Sequence, residues 1–165
     1  MKRVDYDDLS GRIEALCAGE DDPVAVMATI VHEVHVSDDR FDWVGFYRAV
    51  GNETLKIGPF QGGHGCLTIP YSNGVCGRAA RSGEVQIVPD VEAFDGHIAC
   101  AASTRSELVV PFRDRAGALC GVLDIDSNMP DAFGPDDAMG FISILDACFR
   151  HGPVMKWRPR EDSNL

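Results

Sequence analysis

Two apolar runs, SELVVPFR (106–113) and ALCGVLDIDS (118–127), stand only four residues apart, separated by Asp114-Arg115-Ala116-Gly117. A parallel crossover needs about a dozen residues or more, so a connection this short forces an antiparallel hairpin. A second pair lies upstream. Asp42 to Val50 (DWVGFYRAV) is rich in aromatic and branched residues, Gly51-Asn52 is a turn signal, and Glu53 to Phe60 returns. Hairpins at both ends of the strand region exclude a parallel, doubly wound sheet. They predict an antiparallel one with helices packed on it.

The rest of the chain fits around these hairpins. Leu9, Ile13, Leu16 and Cys17 form a helical stripe closed by Gly19. Asp22-Pro23 is a cap and first-turn pair, opening a helix with the stripe Met27, Ile30, Val31 and Val34. Pro59 and the glycines at 62, 63 and 65 break the second strand, and a third short strand covers Cys66 to Ile69. Asn73-Gly74 leads into a short helix, Val75 to Arg81, ended by Gly83. Glu84 to Val88 is a fourth strand, stopped by Pro89. The last helix opens at Pro135, with Ala138, Phe141, Ile142, Leu145, Cys148 and Phe149 on its apolar stripe. The predicted order is ααβββαβ–loop–ββα: an α+β fold with five to six strands and room for a ligand under one face. Asp90 to Thr104 is a long stretch without periodicity between strong strands, which points to a functional loop.

Composition narrows the function. Hydrophobic residues make up 45 % of the 165, which suits a globular core without disulfide or metal staples. Twenty-six acidic residues oppose fifteen basic ones, for a net charge of −11. That field repels phosphate, so neither nucleic acid nor an anionic membrane is an expected partner. No apolar run is long enough to span a bilayer. The N-terminal stretch MKRVDYDDLSGRIEALC has no apolar h-region, so no signal peptide is expected and a cytoplasmic location is. Thiols there are kept reduced.

Six cysteines then need roles. Cys17, Cys120 and Cys148 lie on apolar stripes or in a buried strand and read as packing residues. Cys66, Cys76 and Cys100 do not. Cys76 begins a short helix, a position that lowers a thiol pKa. Three roles fit these thiols: a nucleophile with resolving partners, zinc ligands together with His64 or His97, or plain loop thiols. No CxxC or HxxxH pair supplies half a zinc site. The acids add to the redox role. Alternation puts Asp124 and Asp126 on one face of a strand otherwise made of Leu, Val, Ile and Gly, and Glu107 precedes the apolar run LVVPF. Such acids are costly unless they bind something or share a proton. The alternative for them is a solvated strand edge, or a cap on the loop that follows.

The segments WVGFY (43–47), GPFQG (58–62), GVCG (74–77), VPDV followed by FDGHIAC (88–100), SELVVP (106–111) and GVLDIDS (121–127) together resemble those of the free methionine-(R)-sulfoxide reductases, which are built on a GAF domain. The resemblance implies a GAF-like domain over 1–152 with a C-terminal tail, 153–165. It implies that Cys100, in HIAC, is the nucleophile, that Cys66 is the resolving thiol and that Cys76 is a second recycling candidate. It also implies that Glu107, Asp124 and Asp126 are the site acids, and that Trp43 and Tyr47 form the pocket for the substrate's methyl group. The family has an Asp directly after the nucleophile; this chain has Ala101, which removes an acid beside the site.

The chemistry implied is thiol-dependent reduction of free methionine (R)-sulfoxide. A carboxylic acid protonates the sulfoxide oxygen, the Cys100 thiolate attacks sulfur, and methionine leaves a cysteine sulfenic acid. Cys66 condenses with it to a disulfide, and thioredoxin or a similar dithiol reduces that. The remaining acids would hold the ammonium group of a free amino acid. No cofactor and no metal is expected, and a homodimer is expected by analogy. The alternative is a non-catalytic GAF-like module that binds a small ligand or senses oxidants.

Overall fold

The computed structural model describes residues 4–96, 100, 102–151 and 155. The sheet has six strands, all antiparallel, as the two hairpins require. Two helices come first, α1 (Tyr6–Leu16) and α2 (Pro23–His35). They are followed by β1 (Trp43–Ala49), β2 (Thr54–Gln61) and β3 (Thr68–Pro70), then α3 (Gly74–Ser82) and β4 (Gln86–Val88). A 3-10 turn (Val91–Ala93) starts the long connection to β5 (Ser106–Arg113). β6 (Leu119–Ser127) and α4 (Pro135–Leu145) complete the series, and α4 runs on as a π-helical segment (Asp146–Arg150). The sheet order is β3-β2-β1-β6-β5-β4. The two hairpins therefore lie side by side, with β1 paired to β6 at the centre.

Local chemistry sets the helix ends. The Asp5 carboxylate accepts from the amides of Asp7 and Asp8, both at 3.1 Å, and Asp22 accepts from Val24 at 2.9 Å. Pro23 and Pro135 sit in first turns, where a missing N–H removes no intrahelical bond. Gly83 closes α3 in the left-handed region, at φ 71°.

The two faces of the sheet bury different things. One carries Val44, Phe46, Leu108, Val110, Leu123 and Ile125 under α1, α2 and α4. The other carries Trp43, Tyr47, Val109 and Val122 beside α3. Alternate residues of the same strands serve the two faces, as the period of two dictates.

Several details differ from the sequence expectation. Leu16 is exposed; the i, i+4 row Leu9, Ile13, Cys17 is the one that packs on the core. Ile142 is also exposed and Ile144 is buried in its place. The packed face of α4 is turned toward Tyr6, whose ring meets Phe141 edge-on at 5.1 Å. The third strand begins at Thr68, leaving Cys66 in the preceding loop. Met155, from the stretch expected to be a tail, is buried in the helix-side core. No helix among the described residues is long and apolar enough to cross a membrane.

Candidate active site

Glu107, Asp124 and Asp126 converge on the α3 side of the two central strands of the second hairpin. Register sets this. Glu107 pairs with Asp126 across the β5–β6 ladder and Val109 with Asp124, so Glu107 and Asp124 are diagonal neighbours. Asp124 faces Gly45 and Asp126 faces Trp43 on the other flank. The solvated strand edge, one alternative for these acids, is excluded, because β6 is an interior strand. Glu107 and Asp124 are buried and Asp126 is half-buried.

Three carboxyl groups this close cannot all stay ionised. Burial first, and then the Asp124 charge, raise the Glu107 carboxyl well above the usual range. Burial likewise raises Asp126, helped by Asp124 and Asp42. Asp124 is pushed up by burial to about 6, held back by hydrogen bonds from Cys76 and Glu107. Near neutral pH the cluster therefore retains protons that isolated carboxyl groups would have lost. Asp124 Oδ1 is buried and has no hydrogen-bond partner among the described residues.

Cys76 belongs to this cluster. It is buried at 3 % exposure in the α3-side core, against the expectation that it lies off the core. Its Sγ stands 3.9 Å from Glu107 Oε1. Its thiol is raised, not lowered: desolvation and the facing charges of Asp124 and Glu107 outweigh the helix terminus.

The aromatic wall comes from β1. Trp43 and Tyr47 are both buried and their rings stack at 6.0 Å. Residues four apart on a strand meet only if something gives between them. Gly45 provides it, since a Cβ there would overlap the Trp43 ring. Phe60 also stacks with Trp43, with ring centroids 5.7 Å apart. The Trp43 indole donates to the Gly63 carbonyl at 3.1 Å, which ties the glycine-rich loop to the wall. Burial and the nearby acids, Asp124 foremost, raise the Tyr47 phenol.

Cys66 and Cys100 are joined by a disulfide, with Cα atoms 5.3 Å apart and a sequence separation of 34. The zinc role that used these two thiols with His64 is therefore excluded in this state, because neither sulfur is free to ligate. His97, the other histidine in that role, and Ala101 lie outside the described residues. Cys17 and Cys148 are half-buried against the helix-side core and Cys120 is fully buried, as packing roles require. Burial pushes the Cys148 thiol up to about 12. The one grouping among the described residues with the donors and spacing for a metal ion is Cys76, Glu107 and Asp124, whose ligand atoms lie within 4.8 Å of one another.

A cavity of about 370 Å³, a volume suited to a small molecule, opens beside Asp126 and Cys100. It is lined by Trp43, Cys100 and Asp126, and also by Asp42, Gly63, His64, Ser103, Thr104 and Asn128. Asp42, Ser103, Thr104 and Asn128 were not singled out from sequence. Asp42 and Asn128 directly flank the WVGFY and DIDS motifs, and adjacency was the only signal available. A hydrogen bond joins them: the Asn128 backbone N–H donates to Asp42 Oδ2 at 2.7 Å. Glu107, Asp124, Tyr47 and Cys76 are not among the lining residues.

Comparison with known proteins identifies relatives of the whole domain. The family model for the GAF domain matches residues 20–146. The free methionine-R-sulfoxide reductase of Escherichia coli is 41 % identical over 140 residues, covering 85 % of this chain and 84 % of that protein. The structure of free methionine-R-sulfoxide reductase from Neisseria meningitidis in complex with its substrate superposes with a TM-score of 0.82 at 37 % identity. It covers 86 % of this chain and 84 % of that one. The reduced form of fRMsr of Staphylococcus aureus gives a TM-score of 0.84 at 35 % identity, covering 88 % and 94 %.

Proposed function

This chain belongs to the GAF domain family and groups within it with the free methionine-R-sulfoxide reductases, and from that premise we propose that it reduces free methionine (R)-sulfoxide in the cavity beside Cys100. The observation that carries the reading is the Cys66–Cys100 disulfide at a cavity backed by buried acids. It is the oxidised end state that the reaction would leave.

The steps of this proposal draw on the acids and thiols described above. Glu107, kept protonated by burial and by Asp124, donates its proton to the sulfoxide oxygen. The Cys100 thiolate attacks the sulfur, methionine departs, and the oxygen stays on Cys100 as a sulfenic acid. The Cys66 thiol then attacks that sulfenic sulfur and water is released. A dithiol of thioredoxin type reduces the disulfide and resets the site. Cys66, not Cys76, resolves Cys100 in this scheme. Cys76 is walled in with a raised thiol and acts as a hydrogen-bond partner of the acid pair. Asp124 and Asp126 receive the ammonium group, and the unpartnered Asp124 Oδ1 is an acceptor waiting for it. Trp43 and Tyr47 close around the methyl end.

The test is NADPH consumption coupled through thioredoxin reductase and thioredoxin, with the R and S epimers of free methionine sulfoxide supplied separately. Consumption with the R epimer alone is expected. No consumption with either epimer overturns the reading.

A further inference from the structure

The acids account for one end of a zwitterionic substrate and leave the other unassigned. An α-carboxylate placed against the Asp124 charge would be repelled, which directs it toward the outer lining of the cavity. Among the described lining residues the ionisable side chains are Asp42, Asp126 and His64. His64 is the only one of these that can carry positive charge. Ser103, Thr104 and Asn128 can offer only neutral donors.

We propose that His64 receives the substrate's α-carboxylate and so determines specificity for the free amino acid; this rests on the reading of the site given above. The loop that carries His64 is placed, not free. On one side the Gly63 carbonyl is held by the Trp43 indole. On the other, Cys66 is bonded to Cys100. Gly65 lets the loop lie flat on the aromatic wall, since a Cβ there would stand 2.8 Å from the Trp43 ring and 3.1 Å from the Tyr47 hydroxyl. The Trp43 anchor involves neither cysteine. The substrate is then read at both ends, ammonium by the buried acids and carboxylate by an exposed imidazole. A methionine sulfoxide inside a polypeptide presents neither charge.

The experiment crosses protein with substrate, using the same coupled assay. Wild type, His64→Ala and His64→Gln are compared on free methionine (R)-sulfoxide, on its carboxamide, and on its N-acetyl form. His64→Ala should raise KM for the free sulfoxide about ten- to a hundredfold, the range for a lost charge-assisted contact, with little change in kcat. His64→Gln should recover part of that. Wild type should lose a similar factor on the carboxamide, whereas His64→Ala should use acid and carboxamide alike. The penalty for N-acetylation should persist in His64→Ala, because the acids read that end. The thermal midpoint should not move, since the side chain is exposed. An unchanged KM in His64→Ala, or an equal carboxamide penalty in wild type and variant, overturns the assignment of His64. Absence of any turnover by wild type instead overturns the site reading, and the two failures are thereby told apart.

Discussion

Leu123 and Ile125 point from β6 into one face of the sheet, and Asp124 and Asp126 point into the other. β1 divides in the same way, Val44 and Phe46 against Trp43 and Tyr47, and β5 does so with Leu108 and Val110 against Glu107 and Val109. The helix-side face is dry and close-packed. Phe46, Phe112 and Phe149 form one aromatic knot there, with ring centroids 4.8 to 6.0 Å apart. The α3-side face collects three carboxyl groups and a thiol whose burial opposes folding. One strand residue in two stabilises, and the next is free to be reactive because its neighbour holds the strand in place. Strain at functional sites is commonly offset elsewhere in this way.

The largest effect should come from the reactive face. Cys100→Ser should remove turnover entirely, because an alcohol at neutral pH cannot replace a thiolate. Turnover close to wild type would take Cys100 out of the mechanism. Glu107→Gln should follow, with kcat lowered by about 10²–10⁴ and KM little changed, the range for a lost general acid. A change confined to KM would make Glu107 a binding group only. On the packing face the signature reverses. Phe46→Ala should lower unfolding free energy by about 3–5 kcal/mol in denaturant titration. Activity per folded molecule should stay near wild type. If Phe46→Ala instead lowered kcat without loss of stability, the division of labour between the faces would not hold.

The smallest and sharpest test is Asp124→Asn. In the folded chain Asp124 keeps its proton to about pH 6. An unfolded aspartate loses it near pH ~4. Between those values the folded state binds more protons, so Asp124 makes wild-type stability fall as pH rises through that window. Above it the penalty is constant. Asp124→Asn should remove this slope and gain roughly 1–3 kcal/mol at neutral pH, while impairing use of the free sulfoxide. Denaturant midpoints for both proteins across pH 4 to 7 decide it, and parallel curves would show that Asp124 is not strained by its burial.

Much of this was legible in the residues. The hairpins are declared by turn signals between apolar runs, and those runs carry the acids at spacing two, so Asp124 and Asp126 share a face wherever the strand is placed. The ordered motifs singled out Cys66 and Cys100, the two thiols that the structure joins, and the contrast between Cys100 in a loop and Cys120 in a buried strand survived in the structure. Cys76 was the residue most misread. A helix start lowers a thiol pKa when the thiol faces water, and nothing local states that this one faces Glu107 and Asp124.

The sequence by itself determined the strands, their alternation and the antiparallel class, because periodicity and turn chemistry act over a few residues. Only the tertiary structure decided which distant segments meet. Cys66 and Cys100 are 34 residues apart and bond. Asp42 and Asn128 are held by one hydrogen bond across 86 residues. α3 closes over the acids, and the Trp43 ring lies across Gly45 to reach Tyr47. The physical reason is that contact between remote segments depends on the order of strands in the sheet and the paths of the loops. Those are settled by the packing of the whole molecule, not by the propensity of any part of it.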